Sequence, residues 1–135
     1  MKPIVRVLSY LPRQVYEACM DAFAPLAWSR RYFTAQLSSV SSPGRRALLL
    51  RHLLNIETRA RNWSAGERLA REVLSLFPDD AWMTVELATI LEHLGKKREA
   101  RTYLLGLASN DRIAPAFRER AASEAKRLGG EDSSA

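Results

Sequence analysis

A spacing of 34 residues is the feature of this chain that most restricts its fold. Leu94-Gly95 is followed 34 residues later by Leu128-Gly129. Earlier positions repeat at the same interval in two adjacent phases: Leu53, Leu87 and Ala121, then Leu54, Ala88 and Ala122. Small or apolar residues at such intervals are typical of stacked helical hairpins, in which no hairpin buries its apolar face alone. The sequence therefore predicts an all-α fold of antiparallel helix hairpins.

Start and stop signals predict six to seven helices, at about residues 13–24, 26–38, 45–61, 64–76, 79–94, 97–108 and 115–128. Ser64 with Glu67 three residues later has the spacing of a capping box, which marks a helix start. The acidic pair Asp79-Asp80 suits the start of the fifth helix, and Gly95 supplies the left-handed residue that ends it. The glycines at 129–130 are predicted to end the last helix, and residues 4–11 are predicted to form an extended arm.

The composition is that of an ordinary globular domain. The chain has 135 residues, of which 47% are apolar and 27% charged, enough for one domain with one core. No apolar run approaches the roughly 18 residues that a membrane span needs. Arg6 interrupts the apolar N-terminus, which argues against a secretory signal, and the single cysteine, Cys19, suits a reducing compartment. We therefore expect a cytoplasmic protein.

Positive charge is concentrated in the first part of the chain. Residues 1–56 sum to +6, whereas residues 57–135 carry thirteen charges of each sign. Such a segment attracts acidic protein, lipid headgroups or nucleic acid. The candidate residues for an anionic surface are Arg6, Arg13, Arg30, Arg31, Arg45 and Arg46. Trp28, Tyr32 and Phe33 lie among them, which suits either peripheral membrane attachment or base stacking, although an amphipathic helix with a solvated basic face has the same pattern.

Two stretches share an order of large and small apolar residues. Residues 81–110 contain Leu87-Ala88, Gly95 at the turn, and Ala100, Leu104 and Leu107 in the second helix. Residues 47–80 contain Leu53-Leu54, Trp63, Gly66, Ala70, Val73 and a terminal Pro78. With these motifs, residues 47–129 resemble the tetratricopeptide repeat (TPR) family, whose unit is a 34-residue helix–turn–helix.

The resemblance implies a right-handed superhelix of helix hairpins, a TPR-like α-solenoid. Two repeats and a capping helix would occupy residues 43–129, after a basic arm and a divergent helical hairpin in residues 1–42 and before a disordered tail in residues 130–135. One position departs from the family pattern, because Glu57 stands where an aromatic residue or a leucine is usual. Either Glu57 is paired, or the helix is rotated so that Ile56 packs instead.

In this family the first helix of each hairpin lines a concave groove that holds a partner segment. Carrying those positions over gives the candidate partner-binding residues Arg51, Asn55, Arg59, Trp82, Val85, Glu86, Thr89, His93 and Arg120. One version of the family clamps a C-terminal carboxylate, and Arg51 and Asn55 match part of that clamp. Glu86 stands at its central asparagine, however, and at about 4 Å two like charges repel by several kcal/mol at an effective dielectric near 20. The residues therefore disfavour a terminal carboxylate as the ligand.

No catalytic motif is found in the sequence. It lacks a Gly-rich phosphate loop, a G-x-S-x-G elbow and H-E-x-x-H, and neither histidine has a Cys, Asp or Glu at metal-ligand spacing. We therefore expect a non-enzymatic interaction module without cofactor or metal: an adaptor, assembly factor or small chaperone that binds a peptide segment or a partner subunit. Homodimerisation is compatible with an array of two hairpins. The alternative is attachment to an anionic membrane or, less favoured, to nucleic acid through the basic N-terminal segment.

Overall fold

Seven α-helices make up most of the described chain. The computed structural model describes residues 12–23 and 25–131, and no strand occurs within them. The helices are α1 (Arg13–Phe23), α2 (Leu26–Leu37), α3 (Pro43–Arg59), α4 (Trp63–Leu76), α5 (Ala81–His93), α6 (Lys97–Ala108) and α7 (Pro115–Glu131). The all-α prediction is confirmed for these residues. The predicted arm at residues 4–11, including Arg6, and residues 132–135 lie outside them. None of the seven helices combines the length and the apolar character that crossing a bilayer requires.

The chain divides into two compact units, with the boundary after Ala60. The N-terminal unit contains α1, α2 and α3, and the C-terminal unit contains α4 to α7. The proposed domain division after residue 42 stays a prediction.

The N-terminal unit buries two carboxylates together with its apolar side chains. α3 packs on α2, and α1 contacts both. Phe33 is fully buried, and its ring stacks on that of His52 with 4.6 Å between centroids. Glu57 is also buried and accepts a 2.6 Å hydrogen bond from Arg30 Nε. The first explanation for Glu57, pairing, is therefore confirmed, although Ile56 is fully buried as well.

The C-terminal unit repeats its helices at the interval seen in the sequence. α4 begins at Trp63 and α6 at Lys97, 34 positions later; α5 begins at Ala81 and α7 at Pro115, again 34 positions later. Each helix packs on the next one along the chain. Gly66 in α4 and Ala100 in α6 are buried at matching positions of the two helices. Short side chains at such positions let helices approach closely.

The two sequence phases differ in burial. In the first phase, Leu53, Leu87 and Ala121 are all buried. In the second phase, Leu54 and Ala88 are buried but Ala122 is exposed. Burial in the second phase is therefore lost in α7. This helix is the last described helix of its unit, and α6 covers only one side of it.

The start of α5 and its end at Gly95 match the sequence prediction. Asp80 is the N-cap of α5, and its side chain accepts a 3.0 Å hydrogen bond from Met83 N. Gly95 has φ +77°, and the next amide, Lys96 N, donates to Leu91 O at 2.8 Å. A residue without Cβ adopts that left-handed conformation without strain.

Two helix ends differ from the prediction. Ser64 is not an N-cap: α4 already begins at Trp63, and Asn62 stands in the cap position without a side-chain cap hydrogen bond. The glycine pair does not end the last helix either, since α7 continues through Gly129 and Gly130 to Glu131. Tertiary packing explains the glycine at 129, where the Arg101 guanidinium lies so close that a Cβ would come within 3.0 Å of Arg101 Nε.

Candidate functional site

One face of α5 carries five of the nine candidate partner-binding residues. They follow helical spacing along one side of α5: Trp82, Val85, Glu86, Thr89 and His93. None of them is buried, and Trp82 is 54% exposed. The other side of α5 is packed into the unit, where at most 1% of each of four side chains is exposed: Met83, Leu87, Ile90 and Leu91. The packed side holds the exposed face in a fixed orientation.

The N-terminal end of this face combines an aromatic ring with a carboxylate. Trp82 lies in the first turn of α5, which the Asp80 cap holds in place. Glu86 follows one turn later, so its Cβ lies roughly 5–6 Å from that of Trp82. Glu86 is half-buried, and within the described residues it has no hydrogen-bond or ion-pair partner. No described residue competes with a partner's donor for this carboxylate.

The C-terminal end of the face is held by a ring stack. His93 is the last residue of α5, and its imidazole lies parallel to the Trp63 indole, with 4.0 Å between the centroids and 1° between the planes. The stack joins the first residue of α4 to the end of α5. His93 is exposed, and its ring is stacked on Trp63.

Arg120 lies on the helix that α5 meets through an ion pair. Arg127 of α7 donates two hydrogen bonds to the Glu92 carboxylate of α5, at 2.9 and 2.8 Å. These hydrogen bonds and the charge of Arg127 hold the pKa of Glu92 below its usual value. Arg120 is exposed and lies two turns before Arg127 on the same side of α7. The structure therefore brings Arg120 and the α5 face into one unit with a direct link between their helices.

The other three partner-binding candidates belong to the N-terminal unit. Arg51, Asn55 and Arg59 are spaced four residues apart on α3, so they share one face of that helix. Arg51 is half-buried, and Asn55 and Arg59 are exposed.

Three of the anionic-surface candidates are used inside the N-terminal unit. Arg45 is 20% exposed, and it donates two hydrogen bonds to fully buried Glu17, that from Nη1 measuring 2.7 Å. Arg13 Nε and the Tyr32 hydroxyl donate to the same carboxylate, each at 3.3 Å. Arg30 pairs with Glu57, as described above. Of the remaining described candidates, Arg31 is exposed and Arg46 is half-buried.

Glu17 is charged in spite of its burial. Burial by itself raises the pKa of a carboxyl, but the hydrogen bonds and charge of Arg45, with a smaller contribution from Arg13, outweigh it. The net result is a pKa of Glu17 below its ordinary value. Part of the positive charge of these arginines therefore neutralises internal carboxylates, and their use as a docking surface stays a prediction.

A cleft in the C-terminal unit was not anticipated from the sequence. It has a volume of about 570 Å³ and lies between α4 and α6, with Thr84 of α5 and the loops at Asp79 and Asn110 completing it. Gly106 lines the cleft from within α6. A glycine inside a helical pattern is a local signal that could have drawn attention to this helix, since it costs about 1 kcal/mol relative to alanine.

An arginine network forms part of the cleft wall. Arg71 of α4 donates to Glu67 at 2.8 and 3.1 Å, to Tyr103 Oη at 2.8 Å, and to Glu99. Lys96 also donates to Glu67, at 2.9 Å. The hydrogen bonds that Arg71 donates to Glu99 and then to Glu67 raise the pKa of Arg71 above its already high value. The network balances the cations Arg71 and Lys96 with the carboxylates Glu67 and Glu99, and of these four residues Arg71 lines the cleft.

Within residues 12–23 and 25–131, no three His, Cys, Asp or Glu side chains are placed to hold a metal ion. No family model matches this chain, and neither a curated protein nor a solved structure shows significant similarity to it.

Proposed function

We propose that this chain is a TPR-like helical repeat protein that binds a segment of another protein on the exposed face of α5, without catalysing a reaction. Support for the repeat comes from the helix starts of the C-terminal unit, which recur at 34 positions. Support for the binding surface comes from the α5 face and from Arg120 on the neighbouring helix. The adaptor, assembly-factor and small-chaperone roles all use such a surface.

The exposure of Trp82 is the observation that carries the proposal. An indole more than half exposed leaves a large apolar area in contact with water. Tryptophan is also enriched among the few residues that dominate protein–protein binding energies. Because the other side of α5 is fully packed and Asp80 caps the helix, the Trp82 backbone is fixed before any partner arrives. Such preorganisation reduces the entropy lost on binding.

The length and charge of the face define the segment it fits. From Trp82 to His93 the helix rises about 16 Å, at about 1.5 Å per residue. An extended chain of about five residues covers that distance. The unpaired carboxylate of Glu86 repels an acidic side chain at the centre of the face and favours a hydrogen-bond donor there. We therefore expect an extended segment with an apolar anchor at Trp82 and a donor group at Glu86.

Truncation of the anchor tests the proposal. Affinity purification from the native cell with mass spectrometry identifies partners of the wild-type chain, and each is then purified and titrated by calorimetry. We expect Trp82→Ala to weaken binding by about 30-fold, the effect of a hot-spot residue of about 2 kcal/mol. Glu86→Arg should weaken the same partner through charge reversal.

Two exposed residues elsewhere serve as matched controls. Leu105→Ala removes a 45% exposed leucine from α6, and Trp28→Ala removes a 43% exposed indole from α2 of the N-terminal unit. Both variants should bind as the wild type does. If Trp28→Ala abolishes binding while Trp82→Ala does not, the α5 face is not the binding surface and attachment through the N-terminal unit is favoured instead.

A further inference from the structure

Glu86 on the exposed face of α5 is a half-buried carboxylate that no described residue pairs with. Most other described carboxylates of the C-terminal unit pair with an arginine or a lysine: Glu67, Asp79, Glu92, Glu99, Asp111 and Glu124. Taking a charged group out of water without a partner costs free energy. A ligand that brings a donor to Glu86 therefore removes a cost that the free protein bears.

The unpaired charges around Glu86 favour a cation as that ligand. On α5, the carboxylate of Glu92 is neutralised by Arg127. On α7, Arg120 lies two turns before Arg127, but no described hydrogen bond or ion pair joins it to Glu86. Its exposed charge is screened by water and salt, and it is followed in reverse order along the chain by Glu119, an exposed carboxylate that is also unpaired among the described residues. Two carboxylates and one guanidinium leave the net charge negative.

An aromatic ring and a second acceptor lie beside this carboxylate. Trp82 precedes Glu86 by one helical turn, and its indole is more than half exposed. A cation placed over the face of a tryptophan ring is attracted to it. Thr89, three residues beyond Glu86, donates its hydroxyl proton to Val85 O at 3.1 Å, so its oxygen presents lone pairs outward. A ligand at Glu86 thus meets a ring face, a carboxylate and an acceptor together.

The chemistry of arginine fits these groups better than that of lysine. A guanidinium is planar, so it stacks on an aromatic face and donates two parallel hydrogen bonds to a carboxylate. It is also hydrated more weakly than an ammonium group, so it loses less when a half-buried partner draws it out of water. Its methylene stem covers apolar surface while the charged end stays at a polar group. One arginine side chain therefore supplies both the apolar contact and the donor.

We propose that the partner segment bound on the α5 face carries an arginine, whose guanidinium stacks on Trp82 and donates to Glu86. The inference rests on the proposed function, because it names the residue that this face recognises in its partner. Thr89 accepts a further hydrogen bond from the same segment.

An NMR titration of the full-length ¹⁵N-labelled protein tests the inference. The probe is acetyl-Leu-Ala-Arg-Ala-Leu-amide, and its control has citrulline, which keeps the shape of arginine without the charge. The chain contains three tryptophans, and the Trp82 indole signal is the one missing from Trp82→Leu. The arginine peptide should shift this signal and the amide of Glu86, and should bind about fivefold more tightly than the citrulline peptide. Equal binding of the two, or no shift at Trp82, overturns the inference.

Two variants separate the contribution of charge from that of stacking. Glu86→Gln keeps the side-chain size and should weaken the arginine peptide about fivefold, with no change for the citrulline peptide. Trp82→Leu keeps an apolar side chain without a ring and should weaken the arginine peptide about threefold. Undiminished binding by either variant overturns the inference.

Matched controls change the same chemistry elsewhere in the chain. Asp111→Asn removes a carboxylate whose side chain is 97% exposed, and Trp28→Leu removes an exposed indole from the N-terminal unit. Both variants should bind the arginine peptide as the wild type does. A loss in Asp111→Asn equal to that in Glu86→Gln would show that net charge and not a pair with Glu86 attracts the peptide, which overturns the inference.

The inference and the proposed function fail in different ways when a purified partner is titrated. If Trp82→Ala weakens the partner but Glu86→Gln and Trp82→Leu do not, the α5 face binds a segment without an arginine. Only the inference is then wrong. If Trp82→Ala binds every partner as the wild type does, the proposed function is wrong and the inference falls with it.

Discussion

The two units of this chain hold their helices together by different means. In the N-terminal unit, side chains of α1, α2 and α3 converge on the buried Glu17 carboxylate, which accepts hydrogen bonds from Arg45, Arg13 and Tyr32. In the C-terminal unit, ion pairs such as Glu92–Arg127 lie at the surface. The interior of that unit consists of apolar and small side chains, among them Leu87, Ala100 and Ala121. Both solutions satisfy the same requirement of packing helices side by side.

The comparison shows why the 34-residue spacing is visible in only part of the sequence. A small residue at a helix crossing must recur wherever the crossing recurs, so Gly66 and Ala100 keep the 34-residue interval. A buried ion pair instead joins two particular residues, such as Glu17 and Arg45, and need not recur at the next helix. Such pairs produce no periodic pattern. They also depend on both partners, which makes the N-terminal unit sensitive to single changes and to acid.

Removal of Arg45 should have the largest effect. Arg45→Met keeps the aliphatic stem but leaves Glu17 buried without its main partner, at a cost of about 3–5 kcal/mol. Amide hydrogen exchange should show loss of protection in α1 to α3, with little change in α4 to α7. Arg31→Met, at an exposed arginine of α2, is the control and should change stability by less than about 0.5 kcal/mol.

A double variant distinguishes lost pairing from lost packing. Glu17→Leu combined with Arg45→Met removes both charges, so most of the lost stability should return. If the double variant is as unstable as Arg45→Met alone, the buried pair does not account for the loss.

Overpacking a helix crossing should have the next largest effect, and the loss of exchange protection should now occur in the C-terminal unit. Ala100 is fully buried in α6, and Ala100→Leu should lower the free energy of unfolding by about 1–3 kcal/mol. Protection from exchange should now fall in α4 to α7 and not in α1 to α3. The matched control is Ala122→Leu, at an exposed position of α7. An equal loss in both variants would show that helix propensity and not the crossing is responsible.

Local signals predicted the helix ends correctly where residues close in sequence determine them. Asp80 caps α5 with its own side chain, and Gly95 needs a left-handed conformation, so both act through neighbours in the sequence. The predictions failed where a distant side chain decides. At Gly129, within α7, a Cβ would come within 3.0 Å of Arg101 Nε of α6, and Ala122 is exposed because no further described helix covers it.

The candidate sites also differ in whether residues close in sequence or distant residues form them. The α5 face could be proposed because the family resemblance selects these positions, and helical spacing places Trp82, Glu86 and His93 on one side. The cleft was not, because Asp79, Thr84 and Gly106 come from different elements and meet only in the folded unit. The role of Arg30 and Arg45 was missed for a similar reason. Their partners, Glu57 and Glu17, are 27 and 28 residues away, so a local count of charge gives no sign of the pairing.

Acid should destabilise the N-terminal unit before the C-terminal unit. The pKa of Glu17 is lower in the folded than in the unfolded state, whose ordinary value is 4.5. Its stabilising effect is therefore complete above that pH and is lost as the pH falls through the folded value. Protonation leaves no unpaired charge on Glu17, so the loss should be smaller than that caused by Arg45→Met. Exchange protection of α1 to α3 should fall first as the pH decreases from about 7 to about 3.

Two observations would separate Glu17 from other carboxylates. Glu17→Gln should lower stability near neutral pH and flatten the acid dependence of α1 to α3. Glu67 and Glu92 also have lowered pKa values in the C-terminal unit, so α4 to α7 should retain their own acid dependence in this variant. If α4 to α7 lose protection first in the wild type, the buried Glu17 pair does not set the acid limit.

Loss of the surface pair should have the smallest effect. Arg127→Met removes both hydrogen bonds to Glu92 while keeping the stem, and the Arg127 side chain is 44% exposed. Because water solvates both groups when the pair is absent, the free energy of unfolding should fall by less than about 1 kcal/mol, and this loss should shrink further in high salt. Arg45→Met should show much weaker salt dependence, since burial shields its pair from ions. The contrary result would be a loss of stability in Arg127→Met that is independent of salt and as large as that in Arg45→Met. It would mean that ion pairs stabilise the C-terminal unit as strongly as the N-terminal unit. The two units would then differ in where their charges lie and not in the energy that those charges contribute.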